Sequence, residues 1–334
     1  MMRIGLMSFA HVHAEGYVRA LQAMPEVELV GAADDNAARG QYFADQFGLH
    51  LFDSYTALLD AGLDGVIVCS ENSRHREMVE LAAARGVGVL CEKPLATTVA
   101  DAQRMVEVCA QGNVPLMTAF PMRFSPPVLE IKKVIAALGT IYGINSTNQG
   151  SLPEFHQSEN LAFLGRGWFA DPQLAGGGAL IDHTVHLADL YRWFFGAEVA
   201  EVYAQTNTII GKGKTTVDTG GLVMLTFANG LFASIDCSWS KPAKYPTWGG
   251  LALDIIGTRG IATVDAFKQR IAVYSDKARW VYWGSDANAG MIREFLDAVR
   301  EKRPPAVTGV DGLRATQIVA AAYQSAKTGE PVKI

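Results

Sequence analysis

The sequence predicts an α/β protein of two domains, in which a doubly wound parallel sheet is followed by an α+β domain built on an antiparallel sheet. Three observations predict it. Short apolar runs alternate with amphipathic segments over the first 120 residues, the strands lengthen after Pro126-Pro127, and 334 residues are too many for one typical domain and too few for three. We therefore expect one domain over residues 1–122 and a second over residues 123–334.

The elements of the first domain follow from hydrophobic periodicity. The apolar runs typical of buried parallel strands are 3–8, 27–33, 65–70, 87–91 and 114–120. The segments between them with helical periodicity are 13–24, 37–47, 74–85 and 99–111. Strands that alternate with helices in this way are typical of βαβ units and therefore of a parallel sheet.

The second domain is predicted from longer strands and explicit turns. A helix runs to about residue 138, and the strands that follow are 141–150, 201–208, 221–227, 231–238, 252–256 and 271–274. Asn229-Gly230 marks a hairpin turn between two of these strands. Two helices close the chain, at 289–301 and 312–328, and the last helix is a candidate to pack back on the first domain.

Composition limits the classes of partner. Lys and Arg number 29 against 34 Asp and Glu, a net charge of −5 without a basic run, so nucleic acid is not an expected partner. We see no signal-peptide core and no run of 18 apolar residues, and we expect a cytoplasmic protein that does not enter a membrane. Cys69, Cys91, Cys109 and Cys237 form no C-x-x-C or zinc spacing, so we expect reduced, buried thiols.

The fourth predicted strand of the first domain ends in Glu92-Lys93-Pro94. Ligands of parallel sheets bind beyond the carboxyl ends of the strands, so we expect Glu92 and Lys93 at the edge where a ligand binds. Pro94 restricts the backbone of Lys93 to extended geometry and so fixes the direction of the lysine. The alternative is an ordinary surface lysine at a strand end.

Three glycines, Gly176 to Gly178, precede a predicted helix in the second domain. Asp182 and His186 are four residues apart on that helix and therefore lie on one face. Histidine is the side chain best suited to proton transfer near neutral pH, and a nearby carboxylate can orient it or bind a substrate hydroxyl. The alternative is an i, i+4 ion pair on an ordinary helix.

Together these segments resemble the glucose–fructose oxidoreductase/inositol dehydrogenase (Gfo/Idh/MocA) family, over almost the whole chain. The matching segments are residues 66–75, Glu92-Lys93-Pro94-Leu95, Arg123 to Pro126, Gly176 to Gly196 and the terminal segment 321–329. The resemblance implies an N-terminal Rossmann domain and a C-terminal domain whose large, open, mostly antiparallel sheet forms an interface between subunits. A homodimer or homotetramer is therefore expected.

The resemblance also implies hydride transfer between NAD and a carbinol carbon of a sugar, sugar acid or cyclitol. In that scheme His186 removes the hydroxyl proton, Lys93 stabilises the charge on the same oxygen, and Asp182 orients the substrate. The positions implied to contact the cofactor after the strands are Ser70, Glu71, Asn72, His75, Glu92 and Lys93. Glu71 stands where the family commonly has proline.

The loop after the first strand departs from the family pattern G-x-G-x-x-G/A. It reads Ser8, Phe9, Ala10, His11, Val12 and His13. Each glycine of the family pattern is normally required because a side chain would obstruct the turn, the pyrophosphate or the packing of helix on strand. Ser8 and Ala10 are small, whereas His13 is not. Backbone N–H groups at the helix N-terminus can still bind an anion, so we expect Ser8, Phe9, Ala10 and His11 to contact a dinucleotide.

Cofactor choice is predicted from the end of the second strand. Asp34 and Asp35 can accept hydrogen bonds from the adenosine ribose and would repel a 2′-phosphate. No arginine is immediately adjacent, since Arg39 is a turn further on, so NAD is favoured over NADP. Capping of the next helix by Asp35 or Asn36 is compatible with this role.

Substrate contacts are assigned to Arg123, Trp168 and His183. His183 departs from the family, which more often has an aliphatic residue there. The other aromatic residues that could line a sugar pocket, or pack in the core, are Phe169, Trp239, Tyr245 and Trp248. Lys241, like Arg123, could bind a substrate carboxylate or be a surface charge.

No metal is expected, although one alternative is a site built from four histidines, His11, His13, His183 and His186. A second functional class also stays open, a non-catalytic sensor that binds a nucleotide or sugar on the same two domains. The altered glycine loop favours the sensor. The aligned Lys93, Asp182 and His186 favour the enzyme.

Overall fold

The computed structural model describes residues 1–153, 166–242, 245, 249–267, 270–273, 279–282 and 286–334. Trp248 and the last residue of the predicted strand 271–274 lie outside the described residues. The chain divides into two compact units. The first contains residues 1–120 together with segments of 154–176 and 288–316, and the second contains 121–153, 177–287 and 317–334.

The first unit is built on a parallel sheet, which confirms the predicted fold class. Its strand order is β3-β2-β1-β4-β5-β6. The strands are β1 (Met2–Met7), β2 (Val27–Ala33), β3 (Leu51–Phe52), β4 (Gly65–Val68), β5 (Gly88–Cys91) and β6 (Leu116–Thr118). The helices between them are α1 (Ala14–Gln22), α2 (Ala37–Phe47), α3 (Tyr55–Leu59), α4 (His75–Ala83) and α5 (Val99–Gln111).

The sequence did not predict β3 and α3, because two and five residues are too few to show a period. The central strands β4 and β5 were predicted correctly because every residue in them is buried, which selects a continuous apolar run. Chain order reverses between β1 and β4, so the carboxyl ends of these strands form the edge where ligands of such sheets bind.

The units differ from the continuous domains 1–122 and 123–334 expected from the sequence, because later segments return to the first sheet. Helix α9 (Ala287–Glu301) packs Phe295 against β4, where a Cβ at Gly65 would lie 2.9 Å from its ring. A Cβ at Gly88 of β5 would lie 2.6 Å from Val299. The missing side chains on the strands therefore make room for α9 to cover the sheet.

The second unit contains a seven-stranded sheet of order β12-β11-β7-β10-β9-β8-β15, antiparallel except where β7 pairs with β10. Its strands are β7 (Ile141–Gly150), β8 (Val199–Asn207), β9 (Gly220–Phe227), β10 (Phe232–Asp236), β11 (Gly249–Gly257), β12 (Gly260–Asp265) and β15 (Val332–Lys333). A separate pair is formed by β13 (Arg270–Val273) and β14 (Arg279–Tyr282). The remaining helices are α6 (Pro126–Val134), α7 (Pro172–Ala175), α8 (Ala179–Phe195) and α10 (Gly309–Thr328).

One face of the large sheet exposes apolar side chains. Leu222 and Met224 of β9 are about half exposed, as is Phe232 of β10, whereas their neighbours Val223 and Leu225 are buried. This alternation is that of a sheet packed on one face only. The four cysteines are free and buried, as expected. Among the described residues, no helix combines the length and apolarity needed to cross a lipid bilayer.

Candidate functional site

The β1–α1 loop keeps the backbone of a glycine turn without a glycine. Ser8 has φ +72°, a left-handed conformation that glycine adopts most readily. Its hydroxyl accepts a hydrogen bond from the backbone N–H of Ala10 at 3.1 Å and one from Arg39 at 3.3 Å. These two bonds stabilise a conformation that is uncommon for serine.

Several N–H groups of this loop are bonded within the chain. Phe9 N–H donates to Asp34 at 2.7 Å, His11 N–H to the Cys69 carbonyl at 2.8 Å, and His13 N–H to Nδ1 of His11 at 3.2 Å. The expectation that backbone N–H groups here are available to an anion is therefore wrong for these three residues. A diphosphate would have to exchange with these bonds or use other N–H groups of the loop and of α1.

A segment of the same unit, residues 166–170, covers the loop. Arg166 donates to the Phe9 carbonyl at 3.0 Å and forms an ion pair with Glu15 at 2.8 Å. The indole N–H of Trp168 donates to the Ala10 carbonyl at 3.1 Å, and Phe169 stacks on Trp168. Trp168 is thus buried against the loop, and its assignment to substrate stays a prediction.

The acids after β2 are paired with arginines, which corrects the argument for cofactor choice. Arg39 forms a bidentate ion pair with the buried Asp34, at 2.9 and 2.7 Å. The sequence analysis had excluded Arg39 from the cofactor argument because it lies a turn further on. Arg74 pairs with Asp35, and both arginines lie within 4 Å of Glu71. Arg39 lies in the first turn of α2, and its long side chain reaches back to the end of β2.

The cap of α2 is Asn36, whose side chain accepts from the backbone N–H of Arg39 at 3.0 Å. This confirms the compatible capping role predicted for this position.

Glu92 is fully buried and is held by several donors. Its carboxylate accepts from the Tyr17 hydroxyl at 2.5 Å and from the backbone N–H of Lys93 at 3.0 Å, and it lies 2.9 Å from Nδ1 of His13. Burial acts to raise the pKa of Glu92, but interactions with the neighbouring imidazoles of His11 and His13 lower it well below its ordinary value overall. Glu92 is therefore an anion in the folded protein.

Lys93 is 1% exposed at the carboxyl end of β5, next to a cis Lys93–Pro94 peptide. The alternative interpretation of a surface lysine is wrong. Buried lysines are rare unless they have a partner or a function.

His75, at the start of α4, is fully buried and contacts two loops at once. Its Nδ1 lies 3.0 Å from the Pro94 carbonyl and its Nε2 lies 3.3 Å from the Ser70 carbonyl. The imidazole therefore ties the loop after β4 to the loop that carries Lys93. This contact is structural, and the predicted cofactor contact of His75 stays a prediction.

His75 makes stability depend on pH. Burial lowers its pKa below 6.5, so the unfolded chain binds the proton more readily than the folded one. The contribution of His75 is present above pH 6.5 and is lost as the pH falls toward its folded pKa. We expect the melting temperature of the wild type to fall between about pH 7.5 and 5.5 by more than that of His75→Gln, as thermal unfolding would measure.

The exposed His50 provides the control, because His50→Gln should keep the pH dependence of the wild type. Equal losses of melting temperature in the wild type and His75→Gln would contradict the role given to His75.

The side-chain amide of Asn72 has a hydrogen-bond partner for its nitrogen but none, among the described residues, for its oxygen. Its amide donates to the Ala175 carbonyl at 2.9 Å, whereas its Oδ1 is buried and accepts no hydrogen bond from the described residues. A buried acceptor without a donor is costly and is a sign of an absent partner. Neighbouring Ser70 is also buried, with its hydroxyl donating to the Glu71 carbonyl at 3.2 Å.

In the second unit, Asp218 caps the helix that carries the predicted acid and base. Because Gly178 has no side chain to cap α8, the carboxylate of Asp218 accepts from the N–H groups of Gly178 at 2.9 Å and Leu180 at 2.7 Å. The Tyr323 hydroxyl donates to Asp218 at 2.8 Å. Sequence reasoning missed Asp218, since it lies 40 residues along the chain from Gly178.

Asp182 is oriented by two side chains. Its Oδ2 accepts from the indole N–H of Trp239 at 3.1 Å and lies 3.3 Å from Nε2 of His183. Nδ1 of His183 lies 3.3 Å from the Cys237 carbonyl, so this ring bridges a strand end and the carboxylate. Trp239 was predicted only as a pocket or core aromatic. His186 follows one turn along α8 and is 9% exposed.

Arg123 forms a buried ion pair with Asp189 of α8, with Nε to Oδ2 at 2.8 Å. The Arg123 side chain is 6% exposed, so the alternative of a surface charge is wrong. Two donors of the Arg123 guanidinium are occupied by Asp189, which favours a structural role for Arg123. The assignment of Arg123 to substrate binding stays a prediction. Lys241 lies over the ring of Tyr245 at 4.3 Å.

Among the residues that the structure describes in the first unit, His11, His13 and Glu92 come together as potential metal ligands. His183 and His186 belong to the second unit. The four-histidine alternative is therefore not assembled within either unit.

Comparison with known proteins defines the class. Residues 4–120 match the model described as "Oxidoreductase family, NAD-binding Rossmann fold", and residues 128–263 match the "GFO/IDH/MocA C-terminal domain". The chain belongs to the Gfo/Idh/MocA family of oxidoreductases, and its first unit has the family's NAD-binding Rossmann fold.

Relatives and solved structures match over the whole length. Myo-inositol 2-dehydrogenase of Thermotoga maritima is 27% identical, covering 99% of this chain and 97% of the relative. D-xylose 1-dehydrogenase (NADP(+)) 2 of Haloferax volcanii is 28% identical, covering 100% of both chains. GenD2 from gentamicin A biosynthesis, solved in complex with NAD, superposes with a TM-score of 0.88 at 24% identity, covering 100% of this chain and 96% of the other.

Proposed function

We propose that this protein is a dehydrogenase that transfers hydride between NAD and a carbinol carbon of a sugar, sugar acid or cyclitol. The proposal includes enzymes that use transient oxidation for epimerisation, elimination or glycoside cleavage. The names of the relatives support this substrate class, since they are dehydrogenases of inositol and xylose. The single observation that carries the chemistry is Lys93, which is 1% exposed at the ligand edge of a parallel sheet.

The residues at this edge fit a dinucleotide in part. Oδ1 of Asn72 is a buried acceptor that lacks a donor among the described residues, and a ribose or amide group could supply one. The left-handed turn at Ser8 keeps the loop geometry that usually requires glycine. The residues proposed to hold the cofactor remain those predicted from the sequence. They are Ser8, Phe9, Ala10, His11, Asp34, Asp35, Ser70, Glu71, Asn72, His75, Glu92 and Lys93.

The bound nicotinamide supplies the two-electron acceptor for the substrate hydride. His186 accepts the hydroxyl proton at a ring nitrogen, and Lys93 donates a hydrogen bond to the same substrate oxygen, which stabilises the charge that develops there. Asp182 accepts a hydrogen bond from a substrate hydroxyl. Trp239 and His183 hold the Asp182 carboxylate in place, so little ordering of this side chain is needed on binding.

NAD rather than NADP is the proposed cofactor, and the balance of charges at the end of β2 supports this choice. Asp34, Asp35 and Glu71 carry three negative charges, and the adjacent Arg39 and Arg74 carry two positive charges. The remaining net negative charge disfavours a 2′-phosphate. The half-buried Arg74 is the group through which NADP could still bind.

Two further properties are proposed. The apolar sheet face with Leu222, Met224 and Phe232 suits a homodimer or homotetramer, which light scattering of the purified protein would measure. The cytoplasm is the proposed compartment, supported by the four free, buried thiols.

The function is tested by incubating the purified protein with NAD and a panel of sugars, sugar acids and cyclitols while following NADH absorbance. Turnover of at least one substrate class supports the proposal. If none turns over although NADH binds, the non-catalytic sensor becomes the better account.

A further inference from the structure

His11, His13 and Glu92 converge on one point beside the β1–α1 loop, and the proposed hydride transfer does not use this convergence. We call these three residues the His-His-Glu cluster. One ligand atom from each lies within 4.8 Å of the other two. Nδ1 of His11 is 3.7 Å and Nδ1 of His13 is 2.9 Å from the same carboxylate oxygen of Glu92.

These separations are close to those of a metal site. Ligand atoms about 2.0–2.1 Å from a tetrahedral zinc ion lie about 3.3 Å from one another. The two measured distances, 3.7 and 2.9 Å, lie on either side of that value. A shift of a few tenths of an ångström in the side chains would give both contacts the required length.

Neighbouring residues orient Glu92 and His11 through hydrogen bonds and ring packing, as is usual around metal ligands. Tyr17 donates to Glu92 at 2.5 Å, and the backbone N–H of Lys93 donates to the other carboxylate oxygen at 3.0 Å. The ring of Phe169 packs edge-on against the ring of His11, with centroids 5.2 Å apart. Such outer contacts orient ligands and raise metal affinity.

The protonation pattern suits exchange of a proton for a metal ion. The lone pair on Nδ1 of His11 accepts a hydrogen bond from the backbone N–H of His13 at 3.2 Å, and a metal ion would displace this bond. The 2.9 Å contact between His13 and the Glu92 carboxylate is made through one shared proton. A metal ion would replace that proton and be bound by two imidazoles and one carboxylate.

We propose that the His-His-Glu cluster is a binding site for one divalent transition-metal ion, with Zn²⁺ as the best-fitting ion. Two imidazoles and a carboxylate favour zinc over Mg²⁺ or Ca²⁺, which prefer oxygen ligands. Three protein ligands leave a fourth position for water or an oxygen atom of a bound ligand. Two of its ligands, His11 and Glu92, are also among the residues proposed to hold the dinucleotide, but the metal site can be tested without the dinucleotide.

The test is a calorimetric titration of tag-free, chelator-stripped protein with ZnCl₂, in parallel with metal analysis after gel filtration. We expect one Zn²⁺ per chain, bound with release of a proton. Co²⁺ in place of Zn²⁺ should give the intense visible absorption of a four-coordinate ion. These readouts need neither dinucleotide nor turnover.

The variants identify the ligands. His13→Ala should weaken Zn²⁺ binding by at least about 100-fold, and Tyr17→Phe by about 10-fold through loss of the outer hydrogen bond. His50→Ala, which removes an exposed histidine, should bind as the wild type does. His13→Asn is the second variant, with circular dichroism to confirm folding.

Two results would overturn the proposal. One is less than one Zn²⁺ per two chains in the wild type at micromolar concentration, and the other is wild-type affinity in folded His13→Ala or His13→Asn.

Discussion

Replacing Lys93 by Met is expected to lower kcat by about 10³-fold while NADH binds within a few-fold of wild-type affinity. The lysine stabilises the substrate oxygen only as its charge develops, so its loss affects turnover more than ground-state binding. Met is chosen because Lys93 is 1% exposed, and a side chain of similar length avoids a cavity. Steady-state kinetics and calorimetry measure the two effects.

His186→Ala is the matched variant for the proposed base. It should likewise lower kcat while NADH affinity stays close to that of the wild type. Lys133, whose side chain is 68% exposed, supplies the control, and Lys133→Ala should retain full activity. Near-normal turnover in either Lys93→Met or His186→Ala would remove that residue from the proposed chemistry.

Gly178→Ala is expected to destabilise the protein by about 3 kcal/mol or more, or to prevent folding. A Cβ at this position would lie 1.9 Å from the carbonyl oxygen of Asp218, and backbone cannot move as a flexible side chain can. The same substitution would disturb the cap that Asp218 provides for α8. Urea denaturation would measure the loss through the transition midpoint.

Gly16→Ala is the control for Gly178→Ala. Gly16 lies inside α1, and a Cβ there would meet nothing within 4 Å. Alanine in a helix interior is more favourable than glycine by about 0.8–1.0 kcal/mol, so this variant should be slightly more stable than the wild type. Similar midpoints for the two variants would contradict the steric role of Gly178.

The strands and helices with strong periodicity could be predicted from the sequence because burial selects their residues directly. The run that forms β5 predicted both the strand and the place of Lys93, since a buried strand must deliver the residues after it to one edge of the sheet. The four-residue spacing of Asp182 and His186 predicted a shared face, because helix geometry is fixed locally.

Contacts between distant segments could not be predicted in this way. Trp168 shows no local sign that it bonds to Ala10, because the two residues are 158 positions apart. Asp218 likewise lies far from the helix it caps. The pairing of Arg39 with Asp34 is local, since the two residues are 5 positions apart, but it depends on the length of the arginine side chain, which the hydrophobic pattern does not show.

The most direct test of the account is a calorimetric titration of purified, cofactor-stripped protein with NADH, with NADPH as the comparison. The account predicts NADH binding with a Kd on the order of micromolar, and weaker binding of NADPH, because the loop at Ser8 keeps its turn and the acids after β2 keep a net negative charge. Absence of binding by either dinucleotide would contradict the proposed dehydrogenase.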